Sequence, residues 1–98
     1  MYAIALIRYR RPLDEVLTVL DDHRAYLRTL YEKGTLLASG PLSPRTGGAL
    51  LLRVPDGDDV YGALDAVRDN DPYVKAGMAQ YELLPWAPNT GVEKLDRL

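Results

Sequence analysis

The sequence predicts an α+β fold: four strands and two helices in the order βαββαβ, with one antiparallel sheet and both helices on one face. Two observations carry this. The hydrophobic period switches between strand-like and helix-like in that order along the chain. The length, 98 residues, leaves room for one small domain and no second. A third observation bears on assembly: the strands are apolar on both faces, more than two helices can cover.

Residues 2–9, from Tyr2 to Tyr9, form the first strand, apolar almost throughout. Arg10, Arg11 and Pro12 end it, and Pro12 suits the first turn of a helix. From Leu13 the apolar positions Val16, Leu17, Leu20, Leu27, Leu30 and Tyr31 keep a helical period. Asp14 and Glu15 occupy the first turn, where the helix dipole favours acids, and Gly34 supplies the stop. A second strand runs from Thr35 to Leu42. The stretch Ser43 to Gly48 is expected as a loop, and Ala49 to Val54 as a third strand.

Pro55-Asp56-Gly57 is a turn, and Asp58 is the expected N-cap of a second helix through Arg68. Asp69 to Pro72 breaks that helix, because Pro72 pushes Asp71 towards an extended conformation. Tyr73 to Gly77 has room for one short turn. Met78 to Trp86 is the fourth strand, and Ala87 onward reads as a tail.

Each strand–helix–strand unit implies a parallel, right-handed crossover. Two such units joined by a hairpin give the ferredoxin-like arrangement. A sheet with one wet face alternates apolar and polar residues. Here the first strand carries Ile4 and Leu6 on one face and Ala3, Ala5 and Ile7 on the other. The third strand has Leu50, Leu51 and Leu52 in a row. The expectation is a homodimer through the open sheet face, with two sheets packed face to face.

Composition excludes several functions. There is no Cys, hence no thiolate metal site, disulfide or cysteine nucleophile, and the single His cannot form a His-pair metal motif within one chain. No metal and no cofactor is expected. Twelve Lys and Arg against fourteen Asp and Glu give a net charge of -2, which argues against nucleic acid as a partner. The apolar run at the N-terminus is too short for a signal peptide or a membrane span, so a soluble, cytoplasmic protein is expected.

His23 is the first candidate for chemistry. At 100° per residue it lies about 60° from Leu20, within the apolar stripe of its helix. Burying a titratable ring is costly without a partner. It reads either as a core-edge histidine satisfied by a carbonyl or as a general acid/base. Asp71, at the head of a Pro-constrained turn, reads either as a turn former or as the acceptor that orients His23. Separation along the chain does not decide whether the two meet.

Ser39-Gly40-Pro41 reads either as a strand end or as a small-residue wall where a ligand approaches the backbone. A Ser39–His23–Asp71 triad lacks the nucleophile elbow G-x-S-x-G. Arg8, Arg10, Arg11 and Arg45 read either as solvated charges or as holders of an anionic substrate, with the solvated reading preferred for Arg10 and Arg11. Arg24, about 40° from Leu20, snorkels from the helix edge or pairs with an acid. Asp56, Asp58 and Asp59 lack the spacing of a calcium loop. A lone His can also serve as an axial haem ligand, but no second ligand type is evident.

Taken together, the opening strand, Asp22-His23-Arg24 with Leu27, Leu37-Ala38-Ser39-Gly40-Pro41, and Asp71-Pro72-Tyr73-Val74-Lys75-Ala76-Gly77 leading into Tyr81-Glu82 resemble the YciI-like (YCII-related) family. The resemblance covers residues 1–87 and leaves 88–98 as a C-terminal tail. It implies a dimeric α+β barrel and a pocket around a His–Asp dyad, mapped onto His23 and Asp71. Ser39, Gly40, Pro41 and Tyr73 are then the expected substrate-binding residues. One branch of the family eliminates chloride from a chlorinated hydroxyhydroquinone without a cofactor. The expected function is a small cofactor-independent lyase or isomerase acting on a small polar or aromatic-derived molecule. The alternative is a non-catalytic dimeric module that binds a small ligand or a partner domain.

Overall fold

The computed structural model describes residues 1–98, all of the chain. Strand β1 (Tyr2–Tyr9) leads into a short helix α1 (Leu13–Val16), a 3₁₀ turn (Leu17–Val19) and helix α2 (Leu20–Glu32). Strands β2 (Leu36–Pro41) and β3 (Gly47–Arg53) follow as a hairpin. Helix α3 (Val60–Asp69), a single turn α4 (Pro72–Lys75), strand β4 (Ala79–Trp86) and helix α5 (Val92–Asp96) complete the chain. The sheet order is β2-β3-β1-β4, and every neighbouring pair is antiparallel. This is the βαββαβ α+β topology that the hydrophobic pattern predicts.

Both long helices cover one face. Ala3, Ala5 and Ile7 of β1 and Leu50 and Leu52 of β3 form one buried cluster with Leu30 of α2 and Leu64 and Val67 of α3. None of α1, α2 or α3 has a side-chain N-cap hydrogen bond. Packing holds these helices in place: each fully buried Leu or Val contributes roughly 1.5–3 kcal/mol, more than a cap typically adds.

Three expectations need correction. The first helix is not continuous from Leu13 to Gly34. The Thr18 hydroxyl donates to the Glu15 carbonyl, 2.6 Å away, and the backbone tightens into a 3₁₀ turn before α2 restarts at Leu20. Gly47 and Gly48 belong to β3, opposite Arg8 and Ile7, rather than to the preceding loop. A Cβ on Gly47 would stand 1.7 Å from the Ile7 carbonyl oxygen, so the two strands approach closely only because the residue is glycine. The N-cap position of α3 is Asp59, not Asp58. Residues 88–98, read as a tail, carry helix α5, pinned by Tyr2 donating to Asp96 and by Arg53 donating to the main-chain oxygens of Leu95 and Leu98.

The second sheet face carries a row across all four strands: Ala38 pairs with Leu51, Leu51 with Ile4, and Ile4 with Leu84. Leu84 and Trp86 remain 40% and 41% exposed there, so nothing in the single chain covers this apolar row. No helix is long and apolar enough to cross a membrane.

Candidate functional site

Tyrosines aside, His23 and Asp71 are the only buried residues with polar side chains, and they touch. His23 stands on the core-facing stripe of α2, as its helical phase predicts. Asp71 is placed by the break after α3: Pro72 keeps it extended (ψ 126°), which makes it the N-cap of α4. The separation of 48 residues closes because α2 and α4 pack side by side.

Three donors converge on the Asp71 carboxylate. Oδ1 accepts from the backbone N–H of Tyr73 at 2.9 Å and from His23 Nδ1 at 2.8 Å. Oδ2 accepts from the Tyr81 hydroxyl. Burial and the Asp71 charge push the Tyr81 phenol far up, so it stays a donor. Tyr26, whose hydroxyl donates to the Val67 carbonyl, is raised to about 12, first by burial and then by Asp71. With three donors on it, the buried carboxylate meets the condition that makes a charge tolerable away from water.

His23 is held on its face as well as its edge. The Tyr73 ring stacks on it, with centroids 3.9 Å apart and planes 8° from parallel. Tyr9 in turn meets Tyr73 edge-on at 6.0 Å. The Tyr73 hydroxyl is the one buried side-chain polar atom with no hydrogen-bond partner. Burial, followed by neighbouring Tyr9, raises its pKa to about 12, with Arg45 opposing. Since Nδ1 is engaged by Asp71, Nε2 is the ring nitrogen of His23 without a protein partner.

His23 lines a cavity of about 250 Å³ between α2 and the sheet, at the end where β2 and β3 turn. Ser39, Gly40, Pro41 and Tyr73 line the same cavity, while Asp71, fully buried, stands behind His23. Of the six residues expected as catalytic or substrate-binding, five therefore line one space, and Asp71 supports His23 from behind. Ser39 lines it without a hydrogen bond to His23, so no serine triad is assembled. Arg24 and Arg45 also line it, whereas Arg8 is paired with Glu82 and Arg11 with Glu15. No cluster of three or more His, Asp or Glu forms that would hold a metal ion.

Sequence reasoning passed over Tyr9 and Tyr81 as ordinary strand residues. The available signal was parity: both lie in register on the sheet face that α2 covers, where a phenol needs a polar neighbour.

Residues 1–87 match the model of the YCII-related domain. No curated protein sequence matches the chain. Among solved structures, the chain is similar to 5-chloro-2-hydroxyhydroquinone dehydrochlorinase from Burkholderia phenoliruptrix, determined in complex with 2,5-dihydroxybenzoquinone. The TM-score is 0.66 over 91% of this chain and 96% of that one, at 21% identity, a likeness of fold.

Proposed function

The chain belongs to the YCII-related family, and on that footing we propose that it is a small enzyme in which His23 moves a proton and Asp71 orients it. One observation carries the reading: Asp71 holds Nδ1 and Tyr73 holds the ring face, so the free Nε2 belongs to a ring fixed at the cavity wall. A carboxylate on Nδ1 selects the tautomer with the proton there, and Nε2 is then a base.

Nε2 takes a proton from a carbon or hydroxyl of a small substrate. Asp71, already in place, stabilises the imidazolium that results. If a group leaves with the electron pair of its bond, the substrate gains a double bond and the reaction is an elimination. If the proton returns to another atom of the substrate, it is an isomerisation. Positioned proton transfer of this kind contributes about 10²–10⁴-fold. The neighbour in fold is a dehydrochlorinase, which favours elimination on a small aromatic-derived molecule. Ser39, Gly40, Pro41 and Tyr73 would shape the cavity around it.

We further propose that a second copy of the chain covers the apolar row Ala38–Leu51–Ile4–Leu84, giving a homodimer through the open sheet face. Equilibrium sedimentation of the wild type and of Leu84→Asp tests this; a wild type that is monomeric at micromolar concentration contradicts it.

The non-catalytic reading has one observation on its side. Asp71 caps α4 and ties down Tyr81, so the contact has structural work to do without any reaction. Assaying a panel of hydroxylated and halogenated benzenes for halide release or solvent deuterium uptake separates the two. Turnover by the wild type that falls at least a hundredfold in His23→Gln supports the enzyme. Turnover by His23→Gln equal to the wild type's, or none by the wild type on the whole panel, favours the binding module.

A further inference from the structure

The charges around the cavity are of one sign. Arg24 and Arg45 line it, and no Asp or Glu does. The one carboxylate nearby, Asp71, is fully buried and its two oxygens are taken by three donors, so it offers nothing to a cation. Ion pairs in the chain occupy Arg8, Arg11 and Arg68; neither Arg24 nor Arg45 is in one. Arg45 instead lies beside the Tyr9 hydroxyl and acts electrostatically on Tyr73.

The Tyr73 hydroxyl adds an independent observation. It is buried, belongs to a cavity-lining residue, and makes no hydrogen bond of good geometry within the protein, the Tyr9 hydroxyl being its nearest polar neighbour. A buried donor left unpaired is costly, and in native structures such a group asks for an explanation. An oxygen held by Arg45 would supply the partner. Arg45 is exposed and not ion-paired, so its side chain can shift to admit one. Ile7, Leu20 and Leu27 give the wall an apolar stretch. At about 250 Å³ the space is smaller than the roughly 300–1,000 Å³ of pockets for drug-sized ligands.

We propose that the cavity takes a small organic oxyanion, a carboxylate or phenolate on an apolar body, with Arg45, Arg24 and the Tyr73 hydroxyl holding the charged oxygen. This deepens the proton-transfer reading of the same site and rests on it for where the reacting end lies, at His23. Anionic charge at one end and a base at the other give the substrate a single orientation. Guanidinium groups and a neutral phenol attract an oxyanion without competing for the proton that His23 moves.

Benzoate, with benzamide as its neutral counterpart, is the probe. Calorimetric titration of the wild type at neutral pH should show saturable benzoate binding that weakens with added salt, and at least tenfold weaker binding of benzamide. Arg45→Gln should lose about ten- to a hundredfold in benzoate affinity, the loss of a hydrogen bond to a charged group. Tyr73→Phe removes an unpartnered hydroxyl and keeps the stacked ring, so it should fold with undiminished thermal stability and still bind benzoate more weakly. His23→Gln should keep benzoate binding while losing turnover. Equal binding of benzoate and benzamide, an Arg45→Gln affinity equal to the wild type's, or no benzoate binding by the wild type overturns the anion pocket and leaves proton transfer standing. Undiminished turnover in His23→Gln overturns proton transfer and leaves the anion pocket standing.

Discussion

Tyr73 lies flat on the ring of His23, 3.9 Å between centroids, and its own backbone N–H donates to the Asp71 oxygen that holds His23 Nδ1. One residue therefore fixes the imidazole twice, by its ring directly and by its amide through the carboxylate. The proline that precedes it makes this possible, since it opens α4 and leaves Asp71 extended at the cap. A short Asp-Pro-Tyr sequence thus supplies the acceptor, the turn and the stacking surface together.

Removing the carboxylate should be among the most damaging single changes to the fold. Asp71→Ala leaves the Tyr73 amide, the Tyr81 hydroxyl and His23 Nδ1 without their acceptor in a buried site. The expected loss is about 3–5 kcal/mol, read from the urea midpoint. Tyr81→Phe removes one donor and should cost about 1.5–3 kcal/mol, a typical figure for a bond to a charged group. A loss below about 1 kcal/mol for Asp71→Ala would mean that the site relaxes around the gap.

Alkaline pH should loosen the chain through its buried tyrosines. Tyr26 and Tyr73 are raised from 10.0 to about 12 in the folded protein, and Tyr81 is raised further, in each case chiefly by burial. Below pH 10 both folded and unfolded chains keep these protons, and the contribution is fully present. Above it the unfolded chain ionises first, so stability falls as pH rises towards 12 and beyond. Phenolate absorbance recorded alongside circular dichroism checks this. Part of the absorbance should appear only as ellipticity is lost; complete ionisation in a chain that is still folded contradicts it.

Two glycines at the cavity should behave oppositely. Gly47→Ala forces a Cβ against the Ile7 carbonyl and should separate β1 from β3, costing about 1–3 kcal/mol or more. Gly40→Ala meets nothing within 4 Å and should leave the melting temperature within a few degrees of the wild type. Equal effects of the two substitutions would contradict the close approach of β1 and β3.

Periodicity and breaker residues were enough to read the topology, because β1, α2 and β4 each repeat one pattern over eight residues or more. What local pattern could not show is set by tertiary contacts. Helix α5 has only five residues and depends on Tyr2 and Arg53, far away in sequence. The glycines of β3 looked like loop residues because a strand position that admits only glycine cannot be told from a turn without its neighbour. At the site, helical phase was enough to turn His23 inward, but its meeting with Asp71 depends on α2 and α4 packing side by side. Tyr81 was missed because its role depends on the carboxylate it meets and not on its own neighbours.

The most direct test of the proposed site is the tautomer of the His23 ring, read from the ring-nitrogen chemical shifts of ¹⁵N-labelled protein at a pH where the imidazole is neutral. The chain has one histidine, so the signals need no assignment. The expected result is a proton on Nδ1, donated to Asp71, and a bare Nε2. A neutral ring with its proton on Nε2 would contradict the account, since Asp71 would not be holding Nδ1–H and the cavity would face a donor instead of a base.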